Sequence, residues 1–217
     1  MDARIAEGGH AALMDSVYKG QRHIYDATRK YFLFGRDTLI EGLGARVGMR
    51  VLEVACGTGR NLAKIGKTWP GAQLYGLDIS AEMLKNARKA VGDNAVLGEG
   101  DACSFDAVGL LGEPAFERIV LSYSLSMIPD WESALDHAAS LLAPGGELHI
   151  VDFGDLDGLP RPFKRGLQAW LAKFHVKARQ SLPDAAKHIA SECGLTHRHE
   201  RGRLGYFQLH VLTAPQP

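Results

Sequence analysis

The sequence predicts an α/β fold with a mostly parallel sheet, and three observations carry that prediction. The apolar run Val51, Leu52, Val54 breaks at Gly57 and Gly59 and restarts as helix, which is the pattern of a buried parallel strand feeding a helix. The stretch Ala72 to Met83 repeats it: apolar strand, acid at the strand end, then a helix capped by Ser80. Leu141 to Phe153 runs through Pro144-Gly145-Gly146 into a further apolar strand, with the two glycines expected to end the helix and turn the chain.

Taken in order, Ala11 to Leu43 has helical periodicity broken near Gly20 and Gly35, which predicts two helices before the sheet. Strands follow at Arg50–Val54, near Ala72–Asp78, at Ala95–Glu99 and from Phe116 through Leu121, with helices between them. A fifth strand ends at Phe153. Leu159 to Arg179 carries Arg161, Lys164, Arg165, Lys173, Lys177 and Arg179 among Phe163, Leu167, Trp170, Leu171 and Phe174, with no acid. That pattern predicts a basic amphipathic helix, able to lie on an anionic membrane or simply to pack on the sheet. Pro183 to Cys193 reads as helix, and Leu195–Arg201 with Tyr206–Thr213 as an antiparallel pair.

The chain has 217 residues, 46% of them apolar, enough to bury one core as a single domain. The expected divisions are a helical cap over 1–46, a ligand-binding core over 47–153, a basic insertion over 154–182, and a closing helix and hairpin over 183–217. A formal net charge of +0 and a pI near 7.1 argue against a protein that grips nucleic acid through global charge. Cys56, Cys103 and Cys193 lack metal-ligand spacing, so no metal site is expected and the thiols read as reduced. With no apolar leader and no spanning run, the expected location is the cytoplasm.

The ligand signals lie where strands end. Gly57 and Gly59 let the backbone turn and approach a ligand closely. The third glycine of a nicotinamide fingerprint is replaced by Leu62. Glu53 instead places a carboxylate beside the turn, suited to a ligand with a positively charged tail. Asp78 stands where an acid reaches ribose hydroxyls, although an acid at a helix start would look the same. Gly100-Asp101-Ala102 follows the third strand.

The pattern Glu53-x-x-x-Gly57-x-Gly59 resembles motif I of the class I S-adenosylmethionine-dependent methyltransferases. The resemblance covers nearly the whole chain and implies a Rossmann-like, seven-stranded sheet with an antiparallel C-terminal hairpin. It implies S-adenosylmethionine as cofactor, held by Tyr25, Arg36, Glu53, Gly57, Thr58, Gly59, Asp78, Ile79, Asp101, Ala102 and Ser122, with Met83 under the adenine. Tyr123, in the loop after the fourth strand, is expected beside the transferred methyl.

A narrower resemblance rests on Ala12 to Asp37 together with Glu53-x-x-Cys-Gly-Thr-Gly-Arg-Asn-Leu62. It is to bacterial betaine-lipid N-methyltransferases, which methylate diacylglyceryl-homoserine three times. It implies a lipid amine substrate, a peripheral position on anionic membrane, and a cap in which Tyr18, Arg22, Arg29 and Tyr31 meet the substrate. Tyr25 and Tyr123 would carry catalysis as aromatic faces around the nitrogen. His149 reads as structural, and His10 and His23 are unplaced. The alternatives are a phosphatidylethanolamine N-methyltransferase, a quinone-type C-methyltransferase, and a non-catalytic cofactor-binding protein.

Overall fold

The computed structural model describes residues 33–173 and 176–216. Seven strands form one sheet in the order β3-β2-β1-β4-β5-β7-β6. They are β1 (Arg50–Val54), β2 (Gln73–Asp78), β3 (Ala95–Glu99), β4 (Phe116–Ser122), β5 (Leu142–Phe153), β6 (Thr196–Arg201) and β7 (Phe207–Thr213). The first five pair in parallel, β7 runs antiparallel to β5, and β6 antiparallel to β7. This is the predicted fold class.

Seven described α-helices cover the sheet: α1 (Arg36–Glu41), α2 (Arg60–Thr68), α3 (Ala81–Val91), α4 (Ala107–Leu111), α5 (Trp131–Ser140), α6 (Arg161–Ala172) and α7 (Leu182–Glu192). Alternate side chains of each central strand serve opposite faces. Leu52, Leu121 and Ile150 pack with Leu135 and Ile189 on one side. Val51, Val120 and Val151 pack with Ile40, Leu62 and Leu167 on the other. Burial on both faces explains why these strands are apolar throughout rather than alternating. Each fully buried branched side chain contributes about 1.5–3 kcal/mol.

The chain enters the sheet at β1, winds outward to β3, then crosses back to β4 beside β1. Strand order reverses there, and a crevice opens at the carboxyl ends of the two strands, the place where open α/β sheets bind ligands. All the acids singled out in the sequence sit along that edge.

Two expectations are corrected here. The turn through Pro144-Gly145-Gly146 does not end the helix: α5 stops at Ser140, Leu142 already pairs with Phe116, and Ala143 to Gly146 bulge out of the ladder before Glu147 pairs with Arg118. The basic segment is a helix only over Arg161–Ala172, and it buries Leu167 and Leu171 against the sheet while Phe163 remains 56% exposed. Arg179 is no surface base. Its Nε donates to the Leu125 carbonyl at 2.9 Å and its Nη2 to that of Ile128 at 2.6 Å, with the guanidinium 5.7 Å from the Trp131 ring centroid. No described helix is long and apolar enough to cross a membrane.

Candidate active site

Two clefts meet at Ala55 on the carboxyl edge of the sheet. The first, of about 200 Å³, is lined by Leu33, Arg36, Glu53, Gly57, Thr58, Arg60, Asn61 and Ser122. The second, of about 310 Å³, is lined by Leu77, Asp78, Ile79, Gly100, Asp101, Ala102, Cys103 and the loop Ile128-Pro129-Asp130. Because Ala55 lines both, they form one elongated groove.

The groove exists because the chain after β1 turns by left-handed residues. Ala55, Gly57 and Gly59 have φ of 56°, 56° and 71°. At Gly59 a second constraint applies: an added Cβ would lie 2.9 Å from Ala87 Cα, so α3 packs directly on the turn. Ala55 is the one residue of the three with a side chain, and its strain is of the kind that clusters where ligands are held.

Each acid along this edge is held by a hydrogen bond, Asp78 and Asp101 from backbone amides and Glu53 from a side chain. Asp78 Oδ2 accepts the Gly57 amide at 2.7 Å, and its Oδ1 accepts that of Ser80 at 3.0 Å. Glu53, 1% exposed, accepts from Asn61 Nδ2 at 2.7 Å. Asp101 Oδ1 accepts the Cys103 amide at 2.9 Å. A carboxylate oxygen has two lone pairs, so each acid can still accept a hydrogen bond from the groove. The donor set suits S-adenosylmethionine: a buried carboxylate at the end for its ammonium, a fixed acid midway for a diol, and an acid among apolar Ile79, Ala102 and Ile128 for an amino-substituted base. Cys103 is a neutral thiol, pushed up to about 12 by burial and then by Asp101.

Of the expected cofactor residues, Arg36, Glu53, Gly57, Thr58, Asp78, Ile79, Asp101, Ala102 and Ser122 line the groove. Gly59 caps the start of α2 behind it. Met83 does not line either cleft. Ser80 caps α3 by accepting the Met83 amide, which fixes the helix phase so that Met83 is buried, 2% exposed. Tyr123, expected beside the transferred methyl, also lines neither cleft and is 2% exposed. Its φ of 55° turns the side chain inward, where the ring stands edge-on to Phe153 and the hydroxyl donates to the Phe34 carbonyl. His149 is structural as expected, within β5 and 2.9 Å from Glu147. Tyr18, Arg22, Tyr25, Arg29 and Tyr31, with His10 and His23, lie outside the described residues.

The sequence reading passed over Asn61, Ala55 and Ile128. Asn61 sits eight residues past Glu53 in the first turn of α2, a spacing that offered a signal once the turn was recognised. Ala55 and Ile128 carry no local signal, because a backbone angle and a long-range loop place them.

A family model described as a methyltransferase domain matches residues 25–199. The ubiquinone/menaquinone biosynthesis C-methyltransferase UbiE of Shewanella halifaxensis is 31% identical over 153 residues, covering 66% of this chain and 60% of that protein. UbiE of Serratia proteamaculans is 28% identical over 179 residues, covering 79% and 70%. Among solved structures, the plantazolicin methyltransferase BamL, in complex with a triazolic desmethylPZN analog and SAH, superposes with a TM-score of 0.73 at 13% identity, covering 98% of each chain. Phosphoethanolamine N-methyltransferase 2 of Haemonchus contortus, in complex with S-adenosyl-L-methionine, gives 0.71 at 16%, covering 95% of this chain and 60% of that one.

Fold and groove together define a class I S-adenosylmethionine-dependent methyltransferase. The chain belongs to the methyltransferase domain family, whose model spans well over half of it.

Proposed function

We propose that the chain methylates the amine nitrogen of a membrane lipid, with diacylglyceryl-homoserine as the substrate and three successive transfers giving the trimethylated betaine lipid. The observation that carries the nitrogen is the lining of the groove. Among the described residues no histidine lines it, and Glu53, Asp78 and Asp101 already accept hydrogen bonds from protein N–H groups. A neutral amine is nucleophilic without a strong base, so alignment and electrostatics suffice.

S-adenosylmethionine supplies a methyl group on a positively charged sulfur. Glu53 and Arg36 hold the charged amino-acid end, Asp78 the ribose hydroxyls, and Asp101 with Ala102 the edge of the base. Ala55 and the Gly57 turn keep the groove narrow, which fixes where an incoming nitrogen must stand. The cap residues Tyr18, Tyr25 and Tyr31 supply aromatic faces for the cationic nitrogen, each contributing about 0.5–2 kcal/mol, and Arg22 or Arg29 pairs with the head-group carboxylate.

The lipid part of the proposal draws on α6, which presents Phe163, Arg161, Arg165 and Lys173 outward while Leu167 and Leu171 anchor it. Basic residues around an exposed aromatic suit the surface of an anionic bilayer, where the enzyme would sit peripherally on the cytoplasmic side.

Carbon methylation of a quinol ring is the second reading, favoured by the named function of the UbiE relatives. The two separate in one assay. Purified protein is given labelled S-adenosylmethionine with diacylglyceryl-homoserine, phosphatidylethanolamine and a demethylated quinol together. The proposal expects label in the homoserine lipid; label in the quinol alone overturns it.

A further inference from the structure

A buried carboxylate loses the water that would stabilise its charge, so folded proteins hold it with hydrogen-bond donors. Glu53, 1% exposed, accepts at Oε1 from Asn61 Nδ2 at 2.7 Å. Both residues line the cleft of about 200 Å³, together with Arg36 and Arg60. An acid and two bases around one small cleft suit a zwitterion, and the amino-acid end of S-adenosylmethionine is one.

The position of Asn61 follows from its helix. Gly59, with φ of 71°, turns the chain into α2, and the buried Leu62 and Ile65 fix which side of α2 faces the sheet. Leu62 lies over β2, where a Cβ added to Gly76 would come within 2.6 Å of its Cδ1, and Gly76 pairs with Glu53. The backbone of Asn61, one residue earlier in the first turn, cannot shift without unpacking Leu62. Asparagine is a mediocre helix former, so helix formation does not explain its presence. Its charge does. A lysine or arginine could also hold Glu53, but would cancel the carboxylate and repel a cationic ligand group. An amide donates while staying neutral, so the negative charge remains available to the cleft.

We infer that Asn61 is a positioning residue: it orients the Glu53 carboxylate toward the ammonium group of the cofactor's amino-acid end, and so selects for ligands that carry that end. The inference rests on S-adenosylmethionine as cofactor and is independent of which acceptor receives the methyl group.

The test is calorimetric titration with two probes that share the nucleoside, adenosylhomocysteine and methylthioadenosine, of which only the first has the amino-acid end. Asn61→Ala should raise the Kd of adenosylhomocysteine about tenfold and leave that of methylthioadenosine unchanged. In a Glu53→Gln background the same substitution should add almost nothing, because the charge that Asn61 orients is gone. Asn61→Lys keeps a donor on Glu53, which guards the fold should the alanine variant prove unstable. It should weaken adenosylhomocysteine by more than about tenfold with methylthioadenosine binding intact. A wild-type Kd for adenosylhomocysteine in a position-61 variant, or equal losses for both probes in a folded one, would overturn the inference, since Asn61 would then only shape the turn. Wild-type protein that binds neither probe would instead contradict the cofactor itself, before any variant is made, so the two failures are distinguishable.

Discussion

The Asp78 carboxylate reaches back across 21 residues to hold the Gly57 amide at 2.7 Å, joining the end of β2 to the turn that leaves β1. A single acid thus shapes the glycine turn and faces the groove.

Asp78→Ala should accordingly weaken adenosylhomocysteine binding by about 1–3 kcal/mol and also lower stability, since two amides lose their acceptor. Asp78→Asn, which can accept only on one atom, should fall between. Calorimetry with denaturant melts on the same samples separates the two effects, and an unaltered Kd in both variants would remove Asp78 from the site.

Gly59→Ala combines a left-handed φ with a Cβ 2.9 Å from Ala87 Cα, and should destabilise by about 2–4 kcal/mol. Gly48, with φ of 81° and nothing within 4 Å of an added Cβ, is the control for strain alone. Gly48→Ala should cost about 1–2 kcal/mol. Equal losses in urea melts would show that packing against α3 is not what requires Gly59.

Much of this was legible because acids stand at or near the ends of three strands: Glu53 four residues before Gly57, Asp78 21 residues beyond it, and Asp101 in the Gly100-Asp101-Ala102 stretch that the methyltransferase resemblance picks out. What was not legible shares a cause, which is that the deciding interaction is not local. Nothing near Tyr123 announces a positive φ, which a bulky residue seldom adopts, so the inward turn of its side chain could not be read from the sequence. Met83 under the adenine was implied by the resemblance, while helical spacing pointed to core and the Ser80 cap sets the phase that buries it. Arg179 looked like one base in a basic run, yet its partners are carbonyls 54 and 51 residues away.

Those partners predict a contrast within the basic segment. Arg179→Ala should release the loop from Leu125 to Asp130, costing about 1.5–3 kcal/mol of stability and loosening the adenosyl end of the groove. Reversing Arg161, Arg165 and Lys173 to Glu should leave stability nearly unchanged but abolish sedimentation with anionic vesicles at low salt. If reversal leaves vesicle binding intact, α6 is packing alone.

The C-terminal hairpin predicts a pH effect. His210, 1% exposed, contacts His197 at 2.9 Å and Gln208 at 3.0 Å and stacks on His199, and burial followed by those histidines holds it down to about 3. The unfolded chain takes up a proton near pH 6.5 that the folded chain refuses, so this contribution is complete above that pH and is lost as pH falls. At pH about 5 the loss should be about 2 kcal/mol, and His210→Gln should flatten the decline in urea melts between neutral pH and that point.

The most direct measurement for the whole account is calorimetric titration of the wild-type protein with adenosylhomocysteine and, separately, with NAD. Glu53 beside a two-glycine turn, with Asp78 and Asp101 along one groove, predicts micromolar binding of adenosylhomocysteine and none of NAD. Binding of NAD with no heat from adenosylhomocysteine would contradict it.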